Sequence, residues 1–165
     1  MTRKSGLPPV VDAGSRVLIV GCLPGDESLR RGQYYANPMN QFWALLAGAF
    51  GAPVGSAYEQ RLEYLEARGI ALWDALGSAD RHGSGDDAIR RERPNDFVAL
   101  FTEFPDLRRV AFNGTKPVKL WRRSVQGTLG VELITATLPS SSATPGRNVL
   151  RFDEKLARWR ELLCE

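Results

Sequence analysis

Four short segments of this 165-residue chain gather side chains able to bind or cleave a polar ligand. The first is Gly21-Cys22-Leu23-Pro24-Gly25, a glycine-rich turn whose backbone N–H groups could meet an anion or the edge of a base. It runs on to Tyr34-Tyr35-Ala36-Asn37-Pro38-Met39-Asn40-Gln41-Phe42-Trp43. Two tyrosines beside amide side chains suit a nucleobase, with stacking on its face and hydrogen bonds at its edge. The same residues also suit partly buried aromatics and asparagines that cap a helix. Asp74, in Leu72-Trp73-Asp74, and Asn113, in Phe112-Asn113-Gly114, each follow an apolar run, and both read equally as turn residues. Ser140, Ser141 and Ser142 precede Pro145-Gly146-Arg147, a bent polar loop whose hydroxyls and amides could hold phosphates, or simply connect two elements.

Other chemistries lose support from composition. Gly21 and Gly25 lack the spacing of a dinucleotide fingerprint, and the turn is no Gly-Lys-Ser phosphate loop. Cys22 and Cys164 are the only cysteines, too few for an iron–sulfur site, and both read as buried small residues. His82 is the only histidine, which argues against His-based metal sites and hydrolase triads. A formal charge of +3 permits a polyanionic partner without demanding one. No apolar run approaches the ~20 residues that cross a bilayer, and 1–15 lacks the apolar stretch of a signal peptide. Cytoplasmic residence is the expectation.

The elements that must position these segments alternate. Apolar runs at 17–20, 70–73, 110–112 and 131–135 are hydrophobic at successive positions, as in strands buried on both faces of a parallel sheet. Helical patterns fall at 40–50, 58–67, 97–104, 117–125 and 153–163. This alternation predicts an α/β fold, a three-layer α/β/α sandwich on a four-stranded, mainly parallel sheet. One domain over 1–165 is expected, with 1–15 a loose lead. The stretch 78–93 is polar and Gly-rich and reads as a long surface loop, of a length that is often functional. In such a sheet ligands bind at the carboxyl ends of the strands, where all four segments fall.

Taken in order, Gly-x-x-Pro-Gly, Tyr-Tyr-x-x-Pro-x-Asn-x-Phe-Trp, Leu-Trp-Asp, Phe-Asn-Gly and Leu-Pro-Ser-x-Ser resemble the uracil-DNA glycosylase superfamily. The likeness is first to its hypoxanthine-DNA (deoxyinosine) glycosylases and next to its mismatch-specific uracil/thymine glycosylases, and it runs from Gly21 to Ser142. It implies a base-excision repair enzyme acting on duplex DNA as a monomer, without metal or cofactor. Leu23 stands where the mismatch-specific enzymes keep a water-orienting asparagine. The resemblance moves that role to Asn40, with Asn37 as the competing candidate. It places Tyr35 against the flipped base, and Cys22, Leu23, Asp74 and Asn113 around it. Ser140, Ser141, Ser142 and Arg147 would meet DNA, joined by Lys116 and Lys119 on a basic helix.

Hydrolysis of an N-glycosidic bond builds positive charge on the sugar and negative charge on the base. Donors aimed at the base and a placed water would drive it. With Leu23 in the first segment, water activation should be weak and the enzyme slow. Two rivals stand beside this reading. Gly25-Asp26-Glu27-Ser28-Leu29 is similar to the start of a serine esterase family, but Glu27 interrupts it and no histidine follows His82. A non-catalytic binder of damaged bases or abasic sites is the other.

Overall fold

The computed structural model describes residues 2–164. Its centre is a four-stranded sheet of Val17–Gly21 (β2), Ile70–Asp74 (β3), Arg109–Asn113 (β6) and Ile134–Leu138 (β7), ordered β3-β2-β6-β7. β2 pairs in parallel with β3 on one side and β6 on the other. β7 runs parallel along β6 at the edge. Side chains of a strand alternate between faces. Leu18 and Val20 therefore join one core with α4 (Phe97–Glu103) and α5 (Thr115–Ser124). Ile19 joins a second core with α2 (Phe42–Phe50), α3 (Tyr58–Ala67) and α6 (Phe152–Leu163). Both faces are covered, so the central strands can be apolar throughout, and the α/β/α expectation holds.

Two boundaries and one burial differ from expectation. β7 begins at Ile134, three residues after the expected start at Val131. It is an edge strand, and Ile134 is 68% exposed, so its pattern carries little burial signal. α2 begins at Phe42 and leaves Asn40 outside the helix. Cys164 is exposed, and its thiol donates to Ala49 O; both cysteines are free.

Two larger corrections concern the polar segments. The expected loose lead is tied down: β1 (Thr2–Ser5) pairs antiparallel with β4 (Leu76–Arg81), and Val10 exchanges backbone hydrogen bonds with Leu72. The expected 78–93 loop is a hairpin, in which β4 pairs antiparallel with β5 (Arg90–Pro94). β1-β4-β5 forms a second sheet. Its polar side chains satisfy one another, with Asp80 bound by Arg3 and Arg91. Burial by pairing leaves no hydrophobic period to read. Between β3 and β4, α1 (Asp26–Arg31) having followed β2, only Ala75 intervenes, so the hairpin starts beside the sheet's carboxyl end.

Candidate active site

Parallel registers bring four strand ends level. Gly21 pairs with Asp74, and Asn113 with Leu138. The segments after these residues enclose a cavity of about 420 Å³. Of the expected site residues, Cys22, Leu23, Tyr35, Asn37, Asn40, Asp74, Asn113, Ser140, Ser141 and Ser142 all line it. Lys116, Lys119 and Arg147 do not; Lys116 is half-buried in the first turn of α5, and the other two are exposed.

The glycine-rich turn is oriented by its carbonyls. Gly21 O accepts from Ala75 N at 2.7 Å and Cys22 O from Leu76 N at 3.1 Å. Arg81, fully buried, donates to Leu23 O at 3.4 Å, Pro24 O at 2.5 Å and Gly83 O at 2.7 Å. The Leu23 and Gly25 amides have no hydrogen-bond partner among the described residues, and both residues line the cavity. A Cβ at Gly21 would lie 2.5 Å from Asp74 Oδ1 and 3.2 Å from Tyr35 Oη, so a side chain there would displace groups that line the cavity. Burial pushes the Cys22 thiol far up and keeps it protonated.

Tyr34 packs inward, as adjacent side chains on an extended segment require, and donates to Pro8 O at 2.8 Å. Tyr35 adopts a left-handed backbone (φ 52°) and stacks on Phe42, with ring centroids 3.8 Å apart. Phe42 thus backs one side of the ring, while Tyr35 still lines the cavity. Asn37 and Asn40 both hold local turns: Asn37 Oδ1 accepts from Met39 N at 2.9 Å, and Asn40 Oδ1 from Phe42 N at 3.0 Å. Each Oδ1 keeps a second lone pair, and each NH₂ is unpartnered among the described residues.

Asp74 ends β3 and is buried, so it is neither a helix start nor a surface turn. Its Oδ2 has no partner among the described residues. Burial pushes its carboxyl up to about 7; nearby Asp86 adds to the shift and Arg81 opposes it.

Two expected contacts are redirected. Asn113 Nδ2 donates to Tyr35 Oη at 3.1 Å and Ser141 Oγ at 2.8 Å, and its Oδ1 accepts from Ser141 N at 2.8 Å. Both of its donors are committed, so Asn113 braces Tyr35 and the serine loop and cannot donate to a base. Ser141 is 1% exposed; its hydroxyl accepts from Asn113 Nδ2 and its amide donates to Asn113 Oδ1, so it braces the loop from within. Ser140 is exposed and Ser142 half-buried, with Ser142 Oγ bonded to Thr144.

Residues not singled out from sequence complete the enclosure. Ser84, Gly85, Asp86 and Asp87 reach the cavity from the hairpin loop. Buried Lys155, on α6, donates to Gln41 Oε1 at 2.8 Å and Ser142 O at 2.9 Å. Ser28, the esterase-like serine, is buried and accepts from Ala36 N, which holds the tyrosine segment in place. No group of three or more His, Cys, Asp or Glu among the described residues is arranged to hold a metal ion.

A parallel sheet whose strand ends hold unpartnered amides, a half-backed tyrosine and a buried carboxyl defines an α/β/α protein with a polar ligand cavity at the sheet's carboxyl ends. The chain belongs to the uracil DNA glycosylase superfamily, whose family model matches residues 8–162. It is similar to the hypoxanthine DNA glycosylase of Methanosarcina barkeri, with 44% identity over 160 residues, 96% of this chain and 97% of that one. To the hypoxanthine DNA glycosylase of Methanosarcina acetivorans it is 42% identical over 145 residues, 87% of this chain and 89% of the relative. A solution NMR structure from Methanosarcina acetivorans superposes with a TM-score of 0.76 at 38% identity, covering 98% of this chain and 99% of the other.

Proposed function

We propose that this chain is a single-domain, monomeric DNA glycosylase of base excision repair that flips hypoxanthine or uracil from duplex DNA and hydrolyses its N-glycosidic bond. One observation carries the reading: a buried carboxyl without a hydrogen-bond partner, Asp74, stands in a cavity that also contains the unpartnered Leu23 and Gly25 amides. Hypoxanthine and uracil both present a lactam edge, an N–H beside a carbonyl oxygen. A carboxyl and amide donors complement that edge. Tyr35 supplies the stacking surface, made rigid by Phe42 and Asn113.

Hydrolysis then needs little covalent chemistry from the protein. As the C1′–N bond lengthens, amide donors meet the negative charge growing on the base. Asn40 uses its free amide N–H and remaining lone pair to orient the attacking water, with Asn37 as the alternative. Lys116, Lys119, Arg147, Ser140 and Ser142 hold the flanking phosphates. Duplexes carrying inosine, uracil, xanthine or a thymine mismatch, assayed for alkali-labile sites, test the reading. Cleavage at inosine or uracil supports it; none at any of the four overturns it. Leu23, which cannot orient water, favours a second reading as a non-catalytic damaged-base binder, and release of free base decides between the two.

A further inference from the structure

Three carboxyl groups line this cavity, those of Asp74, Asp86 and Asp87, and the first two are coupled most directly to its buried end. Asp74 reaches it from the end of β3, 5% exposed and with Oδ2 unpartnered. Asp86 reaches it from the loop between β4 and β5. That loop is anchored to the glycine-rich turn. Arg81 and Lys4 both donate to Gly83 O, at 2.7 and 2.6 Å, and Ser84 Oγ accepts from Asp26 N at 2.9 Å. Asp86 is thus carried on a framed wall of the site, not on a free loop.

We propose that Asp86 is a second base-facing carboxyl, and that Asp74 and Asp86 together retain one proton, offered as a hydrogen bond to the carbonyl oxygen of the departing base. The proposal rests on the glycosylase reading and goes beyond it by giving the site a titrating donor. When the C1′–N bond breaks, its electron pair goes to the base, and much of that charge settles on the carbonyl oxygen beside the ring N–H. Two ionised carboxylates would repel it. One ionised and one protonated carboxyl present an acceptor for the N–H and a donor for the oxygen.

The surroundings favour the singly protonated pair. Burial lifts Asp74, Asp86 lifts it further, and Arg81 only partly opposes them. Asp86 is an exposed residue, but where it lines the cavity partial desolvation and Asp87 raise its carboxyl, against the pull of Cys22, Arg81 and Lys116. The phenols of Tyr34 and Tyr35 and the thiol of Cys22, also near Asp74, stay neutral because burial pushes all three far up. Arg81 offsets Asp74 only in part, since its guanidinium also lies 3.6 Å from Asp26 Oδ1 and is held in place by three carbonyls. Two like charges confined together give up one charge and titrate as a unit.

The test is single-turnover excision of hypoxanthine and uracil from about pH 5.5 to about pH 9, with wild type, Asp86→Asn and Asp74→Asn. Wild-type rates should fall about tenfold per pH unit above a break near neutrality. Asp86→Asn removes the charge that lifts Asp74, so its break should move to lower pH. Asp74→Asn supplies an N–H that does not titrate, so its rate should stay flat and exceed wild type at the alkaline end. A parallel ¹³C titration of the Asp74 carboxyl in the free protein should show the same downward movement in Asp86→Asn. Cleavage with an unmoved break in Asp86→Asn overturns the carboxyl pair and leaves the glycosylase reading standing. A moved ¹³C titration with no cleavage by wild type at any pH overturns the glycosylase reading instead.

Discussion

Lys155 Nζ lies 2.8 Å from Gln41 Oε1, and this contact ties the last helix to the residue beside Asn40. The same ammonium donates to Ser142 O at 2.9 Å, and Gln41 N donates to Ser141 O at 2.9 Å. Two walls of the cavity are therefore fastened through one buried cation that has no carboxylate partner within ion-pair distance among the described residues.

Lys155→Met should keep the packing volume and remove the fastening. Two acceptors are then left without their donor, at about 1–3 kcal/mol each where water does not replace it. Thermal unfolding should show a lower Tm, and single-turnover excision should fall more than DNA affinity does. An unchanged rate in a destabilised variant would limit Lys155 to stability.

Arg81 plays the matching role behind the glycine-rich turn. Arg81→Met strands the carbonyls of Leu23 and Pro24, leaves Gly83 O to Lys4 alone, and should lower unfolding free energy by about 2–4 kcal/mol in urea titration. Arg81→Lys keeps the charge, but a point ammonium lacks the guanidinium fork that spans three acceptors. It should recover part of the stability and less of the rate. Full recovery of both would mean that charge alone, not the geometry of the turn, is what matters.

How much of this is legible in the sequence depends on what hides each residue. Leu18, Ile19 and Val20 announce a strand because both faces of the sheet are apolar. The four strand ends and their motifs follow from that reading. The start of β7 is obscured because an edge strand can leave Ile134 in water. The hairpin is hidden because Asp80 and Arg81 are buried by partners distant in sequence, namely Arg3, Arg91 and the carbonyls of the first turn. Lys155 looks like any lysine on an amphipathic helix; its partner Gln41 is 114 residues away. Asp86 carries no local signature, and only the hairpin's return to the sheet end brings it to Asp74.

Asp74 also sets a pH dependence of stability. Its carboxyl, near the ordinary 3.8 when unfolded, is pushed up to about 7 by burial in the folded protein. Between those values the folded state holds the proton and the unfolded state does not, so stability falls as pH rises through that window. Asp74→Asn cannot ionise and should escape the fall. It should be more stable than wild type at pH 8, by about 1–3 kcal/mol, and no more stable below pH ~4. Urea unfolding at both pH values checks the sign; a variant less stable at pH 8 would contradict it.

The DNA contacts assigned to Lys116, Lys119 and Arg147 are best read from salt. Removing one cation that meets a phosphate should reduce the slope of log affinity against log salt by about 1. Lys119→Ala and Arg147→Ala, both exposed, should do so with little change in Tm. A slope equal to wild type in either variant removes that residue from the interface.

The sharpest discrimination lies between Asn40 and Asn37. Both line the cavity and both spend one lone pair on a local amide, so hydrogen-bond inventory alone does not separate them. Their settings differ. Asn37 is exposed, beside Met39 at 71% exposure. Asn40 is half-buried and leads directly into Phe42 and Trp43, which are packed in the core, and into Gln41, held by Lys155 and Ser141. A group that orients water must hold its position to a fraction of an ångström, and only Asn40 has that support. Asn40→Ala should therefore lose about 10²–10³ in single-turnover rate while retaining DNA binding, the usual loss for one well-placed transition-state hydrogen bond. Asn37→Ala should lose less. Leu23→Asn provides the complementary gain. Leu23 also lines the cavity, so an amide there should raise uracil excision if it points toward the water, despite the burial of a polar group. The reverse ranking of the two alanine variants would transfer the role to Asn37. A folded Leu23→Asn variant with unchanged uracil excision would mean that this turn does not present its side chain to the reacting carbon.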